Sequence, residues 1–342
     1  MLSTLFASYV SITSTQAVQV HQLPITERVE TASDDVIYMQ NAQYDLKSKK
    51  KSEVSHNLRQ YCRAGWGLTQ DGEMFLLSSP DIRVRLSGEY LFSTSEAIYE
   101  RESKENFFVT YVSNDKISER VFLGSYNLFT VHHSRHPRNF AFSTLGGDYE
   151  APYLYVSTTN SELPERIPIP TTTFAYVRQI FDNGDCLGSS WQYEGEADGI
   201  HEYYWKEVIG SASIIRKSGK IEPLLSKTQK DSIPNYMGSI AEAKLEGVGY
   251  LVSIRKLGEF VDGEYQTHFD YYILNGDKLT PLVELMKLDP KSRLYVAAVS
   301  VKNKWLVVQR ADTDERLFSG KHHEYYLVQF ESRFSPSQKS PL

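Results

Sequence analysis

The 342-residue chain lacks most of the features that assign a protein to a chemical class at once. Its two cysteines, Cys62 and Cys186, form no Cys-x-x-Cys pair and have no Cys-His spacing of a zinc site. No Gly-x-Ser-x-Gly, Gly-x-x-x-x-Gly-Lys-Ser/Thr or Gly-x-Gly-x-x-Gly motif occurs. No run reaches the roughly 18 apolar residues of a membrane helix, so no transmembrane segment is predicted. We expect the cysteines to be separate buried thiols, with a disulfide as the alternative.

The charge balance gives little support to nucleic acid as a partner. The net charge is −6 and the pI is near 5.9, whereas nucleic-acid-binding domains are usually basic. The one basic run, Lys47 to Lys51, is typical of a solvated loop. Aromatic residues make up 13% of the chain and include 23 tyrosines, a composition that favours strands.

A repeated hairpin sequence is the strongest positive signal. Residues 219–225 (GKIEPLL) return as residues 277–283 (DKLTPLV), 58 positions later, and residues 114–117 (NDKI) open a third copy. A second repeat is a strand that begins with paired aromatics, as at residues 107–108, 203–204, 271–272 and 325–326. Regular recurrence of strands and tight turns predicts a radial repeat of small sheets.

The spacing of the repeats predicts an all-β fold, a single closed β-propeller of four-stranded blades. Four steps from Leu91 to Leu306 cover 215 residues, or about 54 per unit, which predicts six blades with five or seven as alternatives. The last blade has only three strand candidates. Residues 18–25 (VQVHQLPI) could supply its fourth strand. The predicted propeller therefore spans residues 18–331, followed by a disordered polar tail at 332–342.

The first 17 residues are interpreted as a signal peptide. Residues 2–12 are mildly apolar and Thr15-Gln16-Ala17 offers the small residues of a cleavage site, although no Lys or Arg precedes them. This pattern predicts a periplasmic or secreted protein, with a cytoplasmic location as the alternative.

The candidate site is an acidic face formed by the loops between second and third strands. These loops fall at residues 146–150, 194–199, 261–264 and 312–315, and they would converge on one side of a propeller. Within them, Glu194, Glu196 and Asp198 followed by Gly199 have the spacing of a calcium loop, although Trp205 stands where a bidentate carboxylate is expected. A solvated acidic loop is the alternative. The ligand-binding candidates are Trp191, Tyr193, His201, Asp262 and Asp312.

Histidines stand beside carboxylates in three of the aromatic repeats. His201, His268 and His323 each lie within two residues of an acid, so they could converge on a metal ion or do acid-base work. The alternative, a repeated structural pair, is favoured because third strands lie away from the axis. His132 begins a denser cluster at a turn between a first and a second strand, where a solvated turn is expected.

The repeats resemble those of TolB-type and related WD40-like exported propellers. The resemblance is carried by runs such as Gly88-Glu89-Tyr90-Leu91-Phe92, by the Tyr-Tyr strands and by the Gly-Asp-Lys-Leu-Thr-Pro-Leu turn, over about residues 81–330. The Ser-Pro-Asp-Gly turn of those families is approached only at residues 70–73 (QDGE). The resemblance implies the fold, an envelope setting and a protein-binding role, and it transfers no functional residue.

Two functions remain open at this point. The favoured one is a non-enzymatic, monomeric binding or scaffold propeller that presents the acidic face to a protein or glycan and needs no cofactor apart from calcium. The alternative is a carbohydrate-active hydrolase or lyase that uses rim carboxylates with aromatic platforms such as Trp191, Tyr193 and Trp205.

Overall fold

The computed structural model describes most of the chain. It covers residues 18–53, 58–103, 105–113, 116–132, 137–144, 152–158, 163–171, 173–192, 210–261, 264–311 and 324–331. In these ranges nearly all regular structure is antiparallel β-sheet. The helical elements are one 3-10 turn, Arg63–Gly65, and two short helices, α1 (Lys227–Asp231) and α2 (Leu282–Leu285).

Seven small sheets follow one another along the chain, which makes the protein an all-β propeller with seven blades. The strands of blades 1 to 3 are β2 (Val29–Ala32), β3 (Val36–Met39), β4 (Ala42–Asp45) and β5 (Lys50–Glu53); β6 (Gln60–Cys62), β7 (Trp66–Leu68), β8 (Glu73–Leu76) and β9 (Ser79–Arg85); and β10 (Glu89–Ser93), β11 (Ala97–Glu102), β12 (Asn106–Ser113), β13 (Lys116–Ile117) and β14 (Val121–Ser125).

Blades 4 to 7 complete the set. Their strands are β15 (Leu128–His132), β16 (Phe140–Thr144), β17 (Tyr153–Ser157) and β18 (Glu165–Arg166); β19 (Thr173–Ile180), β20 (Cys186–Gln192), β21 (Ser211–Ile215) and β22 (Ile221–Pro223); β23 (Tyr236–Leu245), β24 (Gly249–Val261), β25 (Glu264–Asn275) and β26 (Lys278–Pro281); and β27 (Arg293–Ser300), β28 (Trp305–Ala311) and β29 (Glu324–Phe330), joined by β1 (Val18–Gln22).

Blade 3 differs from the others only in a broken outer strand. Both β13 and β14 pair with the same edge of β12, and Ser118 between them still bonds to Tyr111 of that strand. The two segments are therefore one outer strand with an irregularity near Glu119, and every blade has four strand positions.

The prediction of six blades was wrong, and the seven-blade alternative is the correct one. The first strands of blades 1, 2 and 3 begin at residues 29, 60 and 89, which are 31 and 29 residues apart. Those of blades 5, 6 and 7 begin at residues 173, 236 and 293, which are 63 and 57 apart. The estimate of about 54 residues came from the later blades. Short connections in the early blades allow two blades where that period leaves room for one.

The repeated hairpin sequences occupy equivalent places. The turns before Lys220 and Lys278 both join a third to a fourth strand, in the adjacent blades 5 and 6. Gly219 and Gly276 in these turns have positive φ angles of 86° and 57°, which glycine adopts without strain. Lys116 opens the corresponding fourth strand in blade 3. The paired aromatics at 107–108, 271–272 and 325–326 lie on third strands, as the repeat requires.

Each blade shares its apolar core with its two neighbours. Seven clusters of buried residues each draw on two successive sheets, and one of them joins blade 7 to blade 1 through Trp305, Val307 and Tyr325 against Ile37 and Met39. The faces of each sheet are thereby removed from water by adjacent blades, which is the arrangement that makes small sheets stable.

Two tryptophans tie blades together through equivalent hydrogen bonds. Trp66 and Trp305 each begin the second strand of a blade. The Trp66 indole donates to the carbonyl oxygen of Thr94 at 2.9 Å, and the Trp305 indole donates to that of Asp34 at 3.0 Å. In both cases the acceptor lies in the turn between the first and second strands of the next blade, so the bond fixes the angle between neighbours.

The N-terminal strand pairs with the last strand of the chain. Strand β1 runs antiparallel to β29, with register from Val18 opposite Phe330 to Gln22 opposite Tyr326. Beyond it, the Leu23 amide donates to the Tyr325 carbonyl at 2.7 Å, and the Leu23 side chain is buried. The outer strand of blade 7 thus comes from the opposite end of the sequence.

The two cysteines are separate buried thiols, as expected. Cys62 lies in blade 2 and Cys186 in blade 5, and neither forms a disulfide. Burial raises the pKa of the Cys62 thiol to about 11 and that of Cys186 further still, so both remain protonated.

Within the ranges listed above, no helix has the length and apolar character needed to cross a membrane.

Deleting residues 1–22 should destabilise the protein, because it exposes the edge of β29 and removes the packing of Val18 and Val20 against the core between blades 6 and 7. We expect the melting temperature to fall by on the order of 5 °C or more. Deleting residues 332–342 is the matched control and should change it little. Equal effects in a calorimetric comparison would contradict a stabilising role for β1.

Candidate binding site on the first strands

The first strands of the blades surround the axis of the propeller. First strands of neighbouring blades contact one another, as β2 contacts β6 and β27, and β19 contacts β15 and β23. Six of the seven described first strands carry a β-bulge against their second strand. The residues displaced by these bulges are Glu30, Leu91, Phe129, Arg178, Glu242 and Ala297. Bulges redirect a side chain out of the regular alternation and are common beside functional sites.

Five aromatic side chains form a continuous group between blades 4 and 5. The ring of Phe174 lies 5.2 Å from Trp191, 6.1 Å from Phe129 and 6.4 Å from His132. Tyr176 joins the group at 5.4 Å from His132 and 6.4 Å from Trp191. We call these five residues the aromatic cluster. The Phe129 ring is 44% exposed, and Phe174, Tyr176 and Trp191 are half-buried, so the cluster presents rings to solvent.

The sequence of β19 explains why these rings share a face. Ala175 and Val177 are buried in the core between blades 4 and 5. Phe174 and Tyr176 alternate with them and point to the other face, as the two-residue period of a strand requires. Glycine at 188 allows close approach of the backbones, because a Cβ there would lie 1.8 Å from the Tyr176 carbonyl oxygen.

His132 is the fully buried member of the cluster and links two blades. Its Nδ1 accepts a hydrogen bond from the Val177 amide of blade 5 at 3.3 Å. The proton is therefore on Nε2, which lies 2.7 Å from the Ser143 hydroxyl in blade 4. Sequence reasoning placed His132 in a solvated turn. The structure places it in the interface, where both ring nitrogens are used and its role is structural.

An ion pair adjoins the aromatic cluster at two of the bulges. Arg178 Nε lies 3.2 Å from Glu242 Oε2, and the guanidinium group lies 4.7 Å from the centre of the Tyr176 ring. The second carboxylate oxygen of Glu242 accepts from the Ser253 hydroxyl at 2.9 Å. Glu242 is only 8% exposed. Burial, and next to it the negative charge of Glu242, raises the pKa of Tyr271, which stays neutral.

Trp191 is the only predicted ligand-binding residue that the described ranges include, and it belongs to the aromatic cluster. The other ligand-binding candidates, Tyr193, His201, Asp262 and Asp312, lie outside the described residues. So do the calcium candidates Glu194, Glu196 and Asp198, and the histidine His323. Their roles therefore stay predictions. In the part of the chain that is described, no group of three or more His, Cys, Asp or Glu side chains could hold a metal ion.

His268 lies within blade 6 beside the acid that accompanies it in the sequence. Its Nε2 is 3.9 Å from Asp270 Oδ1, and Lys256 Nζ is 2.7 Å from the other oxygen of that carboxylate. Burial lowers the pKa of His268, Asp270 opposes this shift, and the positive charges of Arg293 and Lys256 add to it. The group therefore forms an ion-paired arrangement inside one blade.

Sequence reasoning missed four residues of this site: Phe129, Phe174, Tyr176 and the ion-paired Arg178. Three of them lie in residues 173–178 (TFAYVR), where small or apolar residues alternate with large ones, and that period of two was the available signal. Phe129 had no such signal because it is displaced by a bulge. Glu242 becomes a partner of Arg178 only through the packing of blade 6 on blade 5.

Comparison with known proteins gives a likeness of fold alone. No model of a known protein family matches the chain, and no curated protein matches it significantly. The β-propeller domain of the Trilobed protease from Pyrococcus furiosus is 10% identical, with a TM-score of 0.48 over 88% of this chain and 93% of that one. TolB from Acinetobacter baumannii is 10% identical, with a TM-score of 0.34 over 92% of this chain and 81% of that one.

Oligopeptidase B from Leishmania major is 9% identical, with a TM-score of 0.41 over 86% of this chain, and the match spans 37% of its length. The predicted resemblance to TolB and related propellers is confirmed at the level of the fold. At such identities no residue role passes from these proteins to this chain.

Replacing His132 by leucine should weaken the interface between blades 4 and 5, since the Val177 amide and the Ser143 hydroxyl would lose a buried partner. We expect a loss of about 2 kcal/mol or more in the free energy of unfolding, measured with urea. His21, which is exposed on β1, provides the control, and H21A should stay within about 0.5 kcal/mol of the native protein. A neutral effect of H132L would show that the bond pair is unimportant.

Proposed function

We propose that the protein is a binding propeller whose aromatic cluster anchors a protein or glycan partner. The supporting observation is the cluster itself: a 44% exposed Phe129 and three half-buried rings lie next to the Arg178–Glu242 pair. Aromatic and arginine side chains are the types that contribute most to binding energy in recognition surfaces.

The position of the cluster on strands suits this function. Phe129, Phe174 and Trp191 stand on β15, β19 and β20, so little conformational entropy is lost when they are covered. The chain continues from β16 and from β20 into the acidic segments 145–150 and 193–200. These segments, with Tyr193, His201, Asp262 and Asp312, are proposed to add an acidic surface that selects the partner by charge.

The setting is proposed to be the periplasm or the extracellular space, and the protein is proposed to act as a monomer without a resident cofactor apart from calcium. The alternative function is a carbohydrate-active hydrolase or lyase. It requires two carboxylates about 5–10 Å apart at the ligand, and the rim carboxylates assigned to it lie outside the described residues. The aromatic cluster therefore favours binding over this alternative.

Replacing Phe129 by alanine should weaken partner binding without unfolding the protein, because the ring is already partly exposed. The labelled full-length protein would be applied to a peptide array and to a glycan array, and the strongest ligand would be titrated against the native protein and F129A. We expect an affinity loss of about 30-fold, corresponding to the roughly 2 kcal/mol of an anchor residue.

Phe269 provides a matched control for this experiment. It is an exposed phenylalanine of nearly equal exposure, 43% against 44%, and it stands on β25 away from the first strands. F269A should bind like the native protein. If F129A and F269A bind equally well, or if neither array retains the protein, the proposed anchor is wrong.

Calcium is proposed to bind Glu194, Glu196 and Asp198. Millimolar calcium chloride should then raise the melting temperature, because a ligand that binds only the folded state stabilises it. A calcium concentration 100 times Kd would add about 2.7 kcal/mol. Asp198→Ala should abolish the shift, and magnesium chloride at the same concentration controls for ionic strength. An unchanged midpoint in calcium would exclude this site.

A further inference from the structure

Lys230 on α1 contacts a serine hydroxyl at the start of the third strand of blade 5. Its Nζ is 2.9 Å from Ser211 Oγ. Among the described residues, no carboxylate forms an ion pair with Lys230. The neighbouring Lys227 is different, because it is exposed and pairs with Asp231 at 2.6 Å. Lys230 therefore has a hydroxyl where surface lysines usually have an acid or water.

The surroundings of Lys230 favour its neutral amine. Burial lowers its pKa, since the ammonium form loses hydration and gains no counter-ion. A neutral lysine amine has a lone pair and can accept the proton of a hydroxyl group. Desolvated lysines act as general bases in this way, and a lysine beside a serine is one of the recurring variants of the serine nucleophile.

The serine lies in a network of hydroxyl groups. Tyr236 has its hydroxyl 2.8 Å from that of Ser239, and a hydrogen bond with the Ser211 hydroxyl adds to this contact. The Ser239 hydroxyl accepts from the Ala212 amide at 2.9 Å. Burial raises the pKa of Tyr236, so its hydroxyl keeps its proton. Ser211 Oγ is thus held between an amine on one element and a phenol on another.

The helix that carries Lys230 is fixed at both ends of its contact. Ser226 and Gln229 form a capping box at its start. The Gln229 side chain also donates to the carbonyl oxygen of Asp277 in blade 6 at 2.9 Å. This anchoring holds the amine at a constant distance from β21, as an acid-base pair requires.

We propose that Ser211 is a nucleophile and Lys230 its general base, and that together they accept an acyl group from an ester substrate. The pair adds an activity to the binding function and does not depend on it, because none of its residues belongs to the aromatic cluster. Ser211 is half-buried and forms the first residue of its strand, so its hydroxyl is not enclosed within the sheet.

The reaction conserves protons and electrons without a cofactor. Ser211 Oγ attacks the ester carbonyl carbon while its proton moves to Nζ of Lys230. The carbon–oxygen bond to the alcohol then breaks, and the alcohol leaves with the proton from Nζ. Water, deprotonated by the same amine, attacks the acyl-Ser211 ester, and the serine regains a proton as the carboxylic acid departs.

The test uses the full-length protein with a fluorophosphonate probe and with p-nitrophenyl acetate. We expect the probe to label Ser211, located by peptide mass spectrometry, and p-nitrophenol release to exceed the uncatalysed rate. Ser211→Ala should abolish both signals. Lys230→Met should lower both rates by about 100-fold or more, the usual contribution of a general base. Absence of label on Ser211 in the native protein would overturn the proposal.

Two lysine variants separate a base from a simple positive charge. Lys230→Arg keeps the charge but cannot accept a proton at these pH values, so it should be as inactive as Lys230→Met. Lys227→Met, on the same helix, should keep the native rate. Melting curves of all variants check that they fold. If K230R labels as fast as the native protein, the amine is not the base and the proposal fails.

The pH dependence of labelling gives an independent readout. The rate should rise as the amine loses its proton and level off with a midpoint below about 10.4, the ordinary value for lysine. The other titratable groups nearby are Tyr236 on β23, which loses its proton only at higher pH, and Lys227 and Asp231, which are exposed on α1. A midpoint at or above the ordinary lysine value would contradict the role of Lys230.

Discussion

The structure depends on one constraint: a four-stranded sheet has two apolar faces and cannot cover either of them by itself. In this protein each face is covered by the next sheet along the chain, so every core cluster belongs to two blades. The clusters are not independent of the sheets, because a blade without its neighbours would expose residues such as Trp66 and Phe142. Blade order, strand polarity and the convergence of first strands all follow from this shared burial.

The bulges reconcile this packing with function. A regular strand presents alternate residues to two faces, and in a propeller both faces are committed to neighbouring blades. A bulge adds one residue that takes part in neither alternation. Arg178 and Glu242 occupy such positions, and so does Phe129. Charged and aromatic side chains can therefore stand near the axis while Ala175, Val177 and Ala241 keep the cores intact.

The sequence was informative where a short segment decides its own structure. The turns before Lys220 and Lys278 were placed correctly because the glycines in them satisfy a local backbone requirement. Blade count was harder, since it depends on connection lengths, and the tight hairpin at 69–72 belongs to a blade about half as long as blade 5. Trp191 was found as an aromatic beside an acidic loop. The pairing of Arg178 with Glu242 depends on how two blades pack, and no local pattern encodes it.

The union of β1 with β29 has a consequence for synthesis. Val18 and Phe330 are register partners although 312 residues separate them, so the first strand to leave the ribosome is among the last to find its place. At about 5–20 residues per second, the delay is on the order of 15–60 seconds. During that time blades 1 to 6 can assemble in order, while β1 has no partner strand. The final blade therefore acts as a check on completeness, because only a full-length chain can supply both of the strands that meet there.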